Sequence, residues 1–376
     1  MHDSQDLSDE FDPTVPLESA ATVPSRWYTD ADVLARERET VFAVNWVAVG
    51  RTDQAARPGQ FFTVELAGEP LVVVRDDRGV LRAFYNVCRH HAAAVVPDSC
   101  GDARSLRCPY HGWNYALSGE LKSAPEFEGV QDFDKSRFGL RPVAVDTWER
   151  FVFVRLREQG PALYNFLGTL LEKTCAVEFS GSVFFERREY TLDCNWKVFV
   201  DNYLDGGYHV PHIHKALGSV IRYADYRIEL GERYNVQIAP LKDTGSEVAS
   251  LRGGGTAYYF WVYPNFMINC YAGVMDTNLV FPLGVDRCRV VFDFYFEKDA
   301  DPEQNRRSIE LAEKIQLEDV GVCESVQRGL RSRSYDRGRF SVRREAGDHH
   351  FQRLLAADLA GDRAESSRRS LPVRAE

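Results

Sequence analysis

The sequence predicts an α+β chain with two domains: a small antiparallel β domain, followed by a larger domain in which helices flank an antiparallel sheet. The 376 residues exceed the size at which one hydrophobic core usually stops growing. Short β-rich runs separated by turn residues dominate from Trp46 to about Leu156. Beyond Arg157, aromatic and β-branched runs alternate with helical segments, which indicates a second, mixed domain.

Composition places the chain among ordinary globular proteins. It is 44% hydrophobic and 27% charged, and no run approaches the roughly 18 apolar residues of a membrane helix, so no membrane partner is expected. The formal net charge is −10. Because six acidic residues lie in the first twenty positions, the rest is only mildly acidic, and nucleic acid is not an expected partner. The eight cysteines lack the dense spacing of a disulfide framework, which fits a reducing compartment.

The N-terminal segment contains no Lys or Arg between Met1 and Ala20, unlike a secretory or mitochondrial leader, which favours a cytoplasmic protein. Apolar positions such as Val33, Leu34 and Val41 recur among charges further on and predict an amphipathic helix that packs on the larger domain. The expected organisation is a disordered acidic tail (1–25), this N-terminal helix (26–44), the small β domain (45–156), the larger domain (157–360) and a loose tail (361–376).

Individual elements follow from periodicity and turn signals. The strands expected in the small domain are Gln60–Leu66, Pro70–Arg75, Val80–Val87 and Trp148–Leu156. Those expected in the larger domain are Phe184–Leu192, Tyr258–Tyr263, Phe266–Tyr271, Asn278–Phe281 and Arg289–Phe296, with helices at Tyr164–Ala176 and Pro302–Leu330.

A first group of metal-ligand side chains lies in the small domain. Cys88 and His90 form C-x-H, seventeen residues intervene, and Cys108 and His111 form C-x-x-H. These four ligands suit a tetrahedral zinc site. They equally suit a [2Fe–2S] cluster with thiolates on one iron and imidazoles on the other. Ligand type alone does not separate the two interpretations.

A second group lies between residues 195 and 214. Asp201, Asp205 and His209 step by four and would share one face of a helix, whereas His214 lies about 140° further round. Pro211 disrupts a helix interior, so we expect it to redirect His214 towards the same ion. Two histidines and one carboxylate with open positions form the facial triad of non-haem Fe(II) oxygenases. The carboxylate is then Asp205 or a distant residue.

The segment Cys108-Pro-Tyr-His-Gly-Trp113, followed by a predicted hairpin turn at Asn114–Gly119, resembles the Rieske iron–sulfur domain. The resemblance covers roughly residues 45 to 155 and decides between zinc and the cluster. It implies a [2Fe–2S] cluster held by Cys88, His90, Cys108 and His111. His91 stands where the family commonly places Arg, and the C-x-H spacing favours His90 as the ligand.

The segment from Asn195-Trp-Lys to His214 resembles the catalytic domain of Rieske non-haem iron oxygenase α subunits. This resemblance implies that His209, His214 and a distant Asp hold one Fe(II). Gln316-Leu-Glu-Asp319 matches the setting of that Asp, and His212 is expected not to be a ligand.

Many family members link their two iron centres across a subunit interface by a carboxylate three residues before the first histidine. Gly206 stands at that position here. Asp205 is the nearest substitute, and Asp201 is the fallback.

Within the family, several segments resemble choline monooxygenase: Asp193–Phe199, Asp201–Pro211, Tyr263–Phe266, Gln316–Val320, Cys323–Leu330 and His349–Phe351. This implies O₂-dependent hydroxylation of choline to the gem-diol of betaine aldehyde, in glycine betaine synthesis. The run Tyr258–Tyr263, with Phe266 and Tyr271, contains candidates for an aromatic cage around a quaternary ammonium.

The resemblance also bears on partners. No flavin or G-x-G-x-x-G nicotinamide motif appears, so we expect a separate ferredoxin or reductase. A homotrimer, or a multiple of one, is expected.

Two other functions compete with this interpretation. An aromatic ring-hydroxylating dioxygenase α subunit would share both iron sites but need an apolar, uncharged pocket. A Rieske electron-transfer protein would have no use for His209, His214 and Asp319, all of which are present.

Overall fold

The computed structural model describes residues 7–175, 181–242, 244–245, 251 and 255–361. The chain divides into two compact units. The smaller unit is Phe42–Phe166, which is wider at both ends than the 45–156 expected. The larger unit combines the N-terminal residues up to Val41 with the chain from Leu167 onward.

The smaller unit is built from antiparallel strands. One sheet has the order β1-β10-β9-β4-β3-β2-β5, and a small sheet has the order β6-β7-β8. The core includes Val72, Trp113 and Tyr115 together with Cys88 and Cys108. The strands are β1 Val47–Arg51, β2 Gln60–Leu66, β3 Glu69–Arg75, β4 Leu81–Tyr85, β5 Cys100–Asp102, β6 Leu106–Arg107, β7 Asn114–Tyr115, β8 Leu121–Ser123, β9 Pro142–Trp148 and β10 Phe151–Arg155.

The larger unit contains a second sheet, with the order β11-β17-β16-β15-β14-β13-β12, in which every neighbouring pair is antiparallel. One unit of antiparallel strands and a second unit of antiparallel sheet and helices confirm the α+β fold class. Its strands are β11 Ser182–Leu192, β12 Arg227–Leu230, β13 Tyr234–Pro240, β14 Thr256–Val262, β15 Phe266–Tyr271, β16 Val274–Gly284 and β17 Arg287–Glu297.

The helices are α1 Arg26–Thr29, α2 Ala31–Glu37, α3 Leu163–Leu167, α4 Leu170–Thr174, α5 Trp196–Leu204, α6 Val210–Ile213, α7 Lys215–Val220, α8 Pro302–Leu330 and α9 Ala346–Ala360. Helix α5 packs against β16 and β17 on one side and against α8 and α9 on the other. Phe351 of α9 joins these layers, because its ring packs edge-on against Trp196 and Trp261. None of the helices in the described ranges is long and apolar enough to cross a membrane.

The N-terminal segment differs from the disordered tail expected over residues 1–25. Phe11 and Val23 are buried, and the carboxylate of Glu10 accepts hydrogen bonds from Arg26 and from Trp27 Nε1 at 2.9 Å. Because these apolar side chains are buried in the fold, residues 7–25 are ordered. Residues 1–6, and residues 362–376 of the expected C-terminal tail, lie outside the described part of the chain.

The single helix expected over residues 26–44 is interrupted. Asp30 ends α1 and caps α2, its carboxylate accepting the N–H of Asp32, and a wider π-type turn covers Arg38–Phe42. Glu37 of α2 forms a fully buried ion pair with Lys197 of α5 at 2.6 Å. This pair anchors the N-terminal helices on the larger unit.

Candidate metal centres

Two imidazoles and one carboxylate meet in the larger unit. Nε2 of His214 lies 3.0 Å from Oδ1 of Asp319, and Nε2 of His209 lies 3.7 Å from the same oxygen. The three donor atoms all lie within 4.8 Å of one another, and the two rings are inclined at 83°. Donors about 2.1 Å from one ion are roughly 3 Å apart in neighbouring coordination positions. The spacing therefore fits one metal ion held on one face, with the opposite face left open.

The backbone that presents the histidines is interrupted earlier than the sequence suggested. Helix α5 ends at Leu204, and Gly206 and Gly207 have φ of +64° and +67°, which are conformations that glycine adopts without strain. Pro211 lies in the first turn of the new helix α6, where a missing N–H costs nothing. The expectation that Pro211 breaks a continuous helix is therefore wrong, because two glycines have already ended it.

Each triad imidazole has its second nitrogen fixed by another carboxylate. Nδ1 of His209 lies 2.6 Å from Oδ2 of Asp205, and Nδ1 of His214 lies 2.6 Å from Oε2 of Glu318. Such contacts set the tautomer and direct Nε2 towards the metal position. Burial lowers the pKa of His214, but the hydrogen bonds and charges of Asp319 and Glu318 outweigh it, so the net shift is upward.

Asp205 and Asp201 occupy different surroundings. Besides the ring of His209, Asp205 accepts the backbone N–H groups of Tyr208 and His209 at 3.1 and 3.0 Å. Asp201 instead accepts hydrogen bonds from Tyr28 at 2.6 Å and Gln352 at 3.4 Å. Of the two carboxylates considered for the bridge, Asp205 is the one in contact with the triad.

The position of Gly206 explains why the carboxylate stands at 205. A Cβ atom at residue 206 would collide with the backbone carbonyl oxygen of Arg344 and with the side chain of Ile228. Any side chain there would force two segments apart, and the positive φ adds strain. Residue 206 therefore cannot supply a carboxylate without strain, and Asp205 supplies the one that contacts His209.

The four ligand candidates of the smaller unit come together at one end of its core. Cys88 and Cys108 are both buried in the core of the smaller unit. The ring of His90 lies 4.8 Å from that of His111 and stacks on Trp113 at the same separation. Nδ1 of His90 is buried and has no hydrogen-bond partner among the described residues. A buried, unpartnered ring nitrogen fits a metal ligand.

Polar groups surround the two cysteines, and exposure separates the two neighbouring histidines. The hydroxyl of Tyr115 lies 3.3 Å from Sγ of Cys88. Burial raises the pKa of the Cys108 thiol, whereas backbone N–H groups of the loop after it, from Tyr110 and His111, act in the opposite direction. His91 is exposed, so the buried nitrogen of His90 is the better candidate.

A cavity of about 120 Å³ lies beside the triad. A row of side chains crosses four neighbouring strands along one wall, because Gln237, Tyr259, Asn269 and Asp276 are successive partners in the ladder. Asp276 is 5% exposed, and its Oδ2 accepts a hydrogen bond from Asn269 at 2.6 Å. A buried carboxylate therefore lines the cavity next to the metal position.

Aromatic rings also line this cavity, together with aliphatic side chains such as Leu217 and Ile315. The rings that line it belong to Phe199, Tyr203, Tyr226, Tyr259, Tyr271 and Phe292. Of the cage candidates, only Tyr259 and Tyr271 are among them. Phe260, Trp261, Tyr263 and Phe266 are 1% exposed or less and belong to the core.

Sequence reasoning missed three groups beside the triad: Glu318 on His214, Asn202, whose Nδ2 donates to Oδ1 of Asp319 at 2.9 Å, and Asp276. Glu318 directly precedes Asp319, and Asn202 directly follows Asp201, so both neighbour residues that the sequence had singled out. Asp276 carried a signal of its own, since a carboxylate in the middle of a buried strand needs an explanation.

Comparison with known proteins agrees with this arrangement. Residues 45–134 match the Rieske [2Fe-2S] domain, and residues 181–361 match the ring hydroxylating alpha subunit (catalytic domain). Choline monooxygenase, chloroplastic, of Arabidopsis thaliana is 42% identical over 96% of this chain and 88% of its own. The chain belongs to the Rieske non-haem iron monooxygenases. The carnitine monooxygenase oxygenase subunit of Escherichia coli K12 is 30% identical over 90% of this chain and 94% of its own.

A solved structure extends the comparison to three dimensions. It is that of a quaternary ammonium Rieske monooxygenase, described as giving insight into carnitine oxidation and inter-subunit electron transfer. It superposes with a TM-score of 0.82 at 28% identity, over 93% of this chain and 98% of its own.

Membership of the family settles the cofactors and the class of protein. A Rieske non-haem iron monooxygenase carries a [2Fe–2S] cluster and one mononuclear iron, and uses O₂, a small-molecule substrate and an external electron donor. Zinc at the cysteine–histidine site and a role as a mere electron carrier are thereby set aside. The donor atoms described above fit both iron groups.

Proposed function

We propose that this Rieske non-haem iron monooxygenase hydroxylates a small quaternary ammonium compound, with choline as the substrate. The observation that carries the proposal is the cavity beside the triad, which combines tyrosine rings with the carboxylate of Asp276. A quaternary ammonium has no N–H to donate, so aromatic faces and a nearby negative charge are the groups that bind it. The similarity to monooxygenases named for choline and carnitine supports the same class.

The charge state of the cavity agrees with a cationic substrate. Burial raises the pKa of Tyr203 and Tyr226 well above the usual value, so both phenols stay neutral and present polarised ring faces. A buried carboxylate such as Asp276 is costly unless a cation or hydrogen bonds offset it. An arene has no positive charge to interact with this carboxylate, whose Oδ2 accepts a hydrogen bond from Asn269, so the cavity favours a cationic substrate over that of the dioxygenase alternative.

The reaction proposed for choline is R–CH₂OH + O₂ + 2H⁺ + 2e⁻ → R–CH(OH)₂ + H₂O. The electrons come from a separate ferredoxin or reductase. His209, His214 and Asp319 would hold the mononuclear iron, which would supply O₂ activation. The protein orients the substrate carbon by holding the ammonium group in the aromatic pocket, and the surrounding sheet and helices exclude bulk water.

The test is O₂ uptake coupled to product formation, measured for choline, carnitine, naphthalene and 3,3-dimethylbutan-1-ol, the neutral carbon analogue of choline. We expect choline to be hydroxylated and the neutral analogue to bind poorly. Asp276→Asn should raise the KM for choline by about ten-fold or more, the scale of a lost buried charge contact, and leave that for the neutral analogue unchanged.

Asp299→Asn is the matched control. Asp299 is exposed just after the last strand of the same sheet, so the substitution removes one negative charge without changing the cavity. Turnover of naphthalene without turnover of any quaternary amine would contradict the proposal. Turnover of carnitine but not choline would keep the substrate class and change the substrate.

We further propose that Asp205 links the two iron centres between subunits of a homotrimer, or a multiple of one. Oδ2 of its carboxylate contacts Nδ1 of His209. In the proposed bridge, Oδ1, which accepts the N–H of Tyr208, also accepts from a cluster histidine of a neighbouring subunit. The inter-subunit electron transfer described for the quaternary ammonium monooxygenase supports this. We also propose that the mononuclear iron is bound by His209, His214 and Asp319, and that the cluster is bound by Cys88, His90, Cys108 and His111. A cytoplasmic location is proposed as well.

A further inference from the structure

A second cavity, of about 250 Å³, lies behind the triad and contains an unusual number of acids. Three carboxyl groups line it, from Asp201 of α5 and from Glu345 and Asp348 at the start of α9. Its walls also include Asn202, which lines the substrate cavity as well and donates a hydrogen bond to the triad residue Asp319. Asn202 therefore borders both the acid-lined cavity and the metal position.

The segment that carries two of these acids packs tightly behind the histidines. The backbone at Gly206 touches the carbonyl group of Arg344, and Gly347 lies against the backbone of Leu204. The start of α9 is thus fixed against the turn that leads into His209. This contact keeps Glu345 and Asp348 at a constant place relative to the iron site.

The three acids differ in burial, from the surface inwards. Glu345 is partly exposed, whereas the side chain of Asp348 is 5% exposed. Oδ2 of Asp348 is buried and has no hydrogen-bond partner in the part of the chain that the structure describes. A buried carboxyl oxygen on a cavity wall without a protein partner needs water or a proton of its own.

The electrostatics favour the protonated acids. Burial, and then the nearby charges of Asp201, Asp205 and Glu345, raise the pKa of Asp348 well above the usual value. Burial likewise raises the pKa of Asp201 to about 7, although hydrogen bonds from Tyr28 and Gln352 and the charge of Lys197 oppose it. Burial and the charge of Asp205 raise the pKa of Glu345 too, whereas the hydrogen bond from the N–H of Ser341 lowers it.

We propose that this second cavity is the proton reservoir of the iron site, in which Asp348, Asp201 and Glu345 hold protons that cavity water carries past Asn202. Each turnover consumes two protons with two electrons as O₂ becomes one water and one hydroxyl of the product. The electrons come from the external donor. The acids replace the protons at the site and are recharged from solvent through Glu345, so no further reactant is needed, whichever amine is oxidised.

The first test uses the enzyme loaded with both iron groups and the variant Asp348→Asn, which keeps the size of the side chain but cannot release a proton. We expect unchanged iron and sulfide content. We also expect reoxidation of the reduced cluster with substrate and O₂ to slow by about ten-fold or more, a larger solvent deuterium effect, and less product per O₂ consumed. Asp348→Glu should restore part of the rate. Val326→Ala, on the wall of the same cavity, is the control and should behave as wild type.

A second readout does not depend on activity. Infrared spectra of the metal-free protein at neutral pH should contain carboxylic acid C=O bands that shift in D₂O, and the band of Asp348 should be lost in Asp348→Asn. Absence of that band in wild type, or a folded Asp348→Asn enzyme with wild-type rate, isotope effect and coupling, would overturn the proposal. If Asp348→Asn does not fold, Glu345→Gln tests the entry point, and wild-type isotope effects there would overturn the proposal equally.

Discussion

Carboxylates surround the mononuclear iron position on several sides, and each has a different task. Asp319 faces the metal position, whereas Asp205 and Glu318 contact the histidines from behind. Asn202 holds one oxygen of Asp319 in place. Because a ligand is useful only when its orientation is fixed, these outer contacts matter nearly as much as the ligands themselves.

Asp319→Ala and His209→Ala should each abolish oxygenation while the cluster still reduces normally, because each removes a ligand from the second site alone. Wild type should contain about three irons and two acid-labile sulfides per chain, two of the irons in the cluster. Each variant should lose one iron and keep its sulfide. Iron and sulfide analysis with the visible spectrum of the cluster measures this. Full activity in Asp319→Ala would show that another residue is the third ligand.

Asp205→Asn should keep both metals but slow reoxidation of the reduced cluster, with substrate and O₂ present, by about ten-fold or more. An amide cannot serve as the anionic acceptor for two imidazole N–H groups. Stopped-flow absorbance of the cluster follows the reaction.

Asp201→Asn is the comparison variant and should slow this step less, since Asp201 contacts Tyr28 and Gln352 rather than His209. The reverse ranking, with a solvent deuterium effect equal to that of wild type, would move the bridge to Asp201, whereas a larger isotope effect would indicate lost proton supply from the acid-lined cavity. Wild-type rates in both variants would remove a carboxylate bridge from this enzyme.

At the scale of elements, the sequence predicted best where one pattern runs long. The bounds of β15 and α8 are those expected. A run of β-branched and aromatic residues marks the strand, and a helical pattern sustained over 29 residues marks the helix. The strands β12 and β13 and the helix α9 were missed. Their amphipathic patterns are short or irregular, and α9 buries residues such as Asp348 and His349 that a sequence pattern assigns to solvent.

The turn between α5 and α6 shows why the site was harder to predict than its ligands. Ligand identity follows from motif spacing, but the path between Asp205 and His209 depends on a backbone contact between Gly206 and Arg344, more than a hundred residues away. The same holds for the substrate cavity, whose wall joins Gln237, Asn269 and Asp276 only when four strands are in register. Such long-range packing leaves no local signal.

The buried acids between α5 and α9 should make stability depend on pH. The pKa of Asp201 is raised by burial to about 7 in the folded state, from 3.8, so the folded protein holds a proton that the unfolded chain releases. The free energy of unfolding should therefore fall as pH rises from about 4 to 7, by up to about 1.4 kcal/mol per pH unit for this group. Thermal melts of wild type and Asp201→Asn across this range measure it.

In that experiment Asp201→Asn should flatten the dependence, and its stability relative to wild type should increase with pH. Asp286→Asn, an exposed acid paired with Arg331, is the control and should follow the wild-type curve. A wild-type stability that rises through the same window would mean that Asp201 is ionised in the folded protein.

At the scale of the whole molecule, the two iron sites belong to two compact units with separate cores and separate ligands. Loss of one metal group should therefore leave the other intact. This independence permits a design in which each chain lacks one site. If electrons pass between neighbouring subunits, a cluster in one chain can supply the iron of the next.

The decisive preparation is a mixed oligomer of Cys108→Ser chains, which lack the cluster, and Asp319→Ala chains, which lack the mononuclear iron, co-expressed with different tags and purified through both. Each variant alone should be inactive. In a mixed trimer with ring symmetry, one interface of the three joins an intact cluster to an intact iron in the right direction, so activity should return to about a third of wild type. Choline-dependent O₂ uptake per trimer measures it. A mixed oligomer as inactive as its parents, with the expected iron content, would place electron transfer within one chain and leave Asp205 without a bridging role.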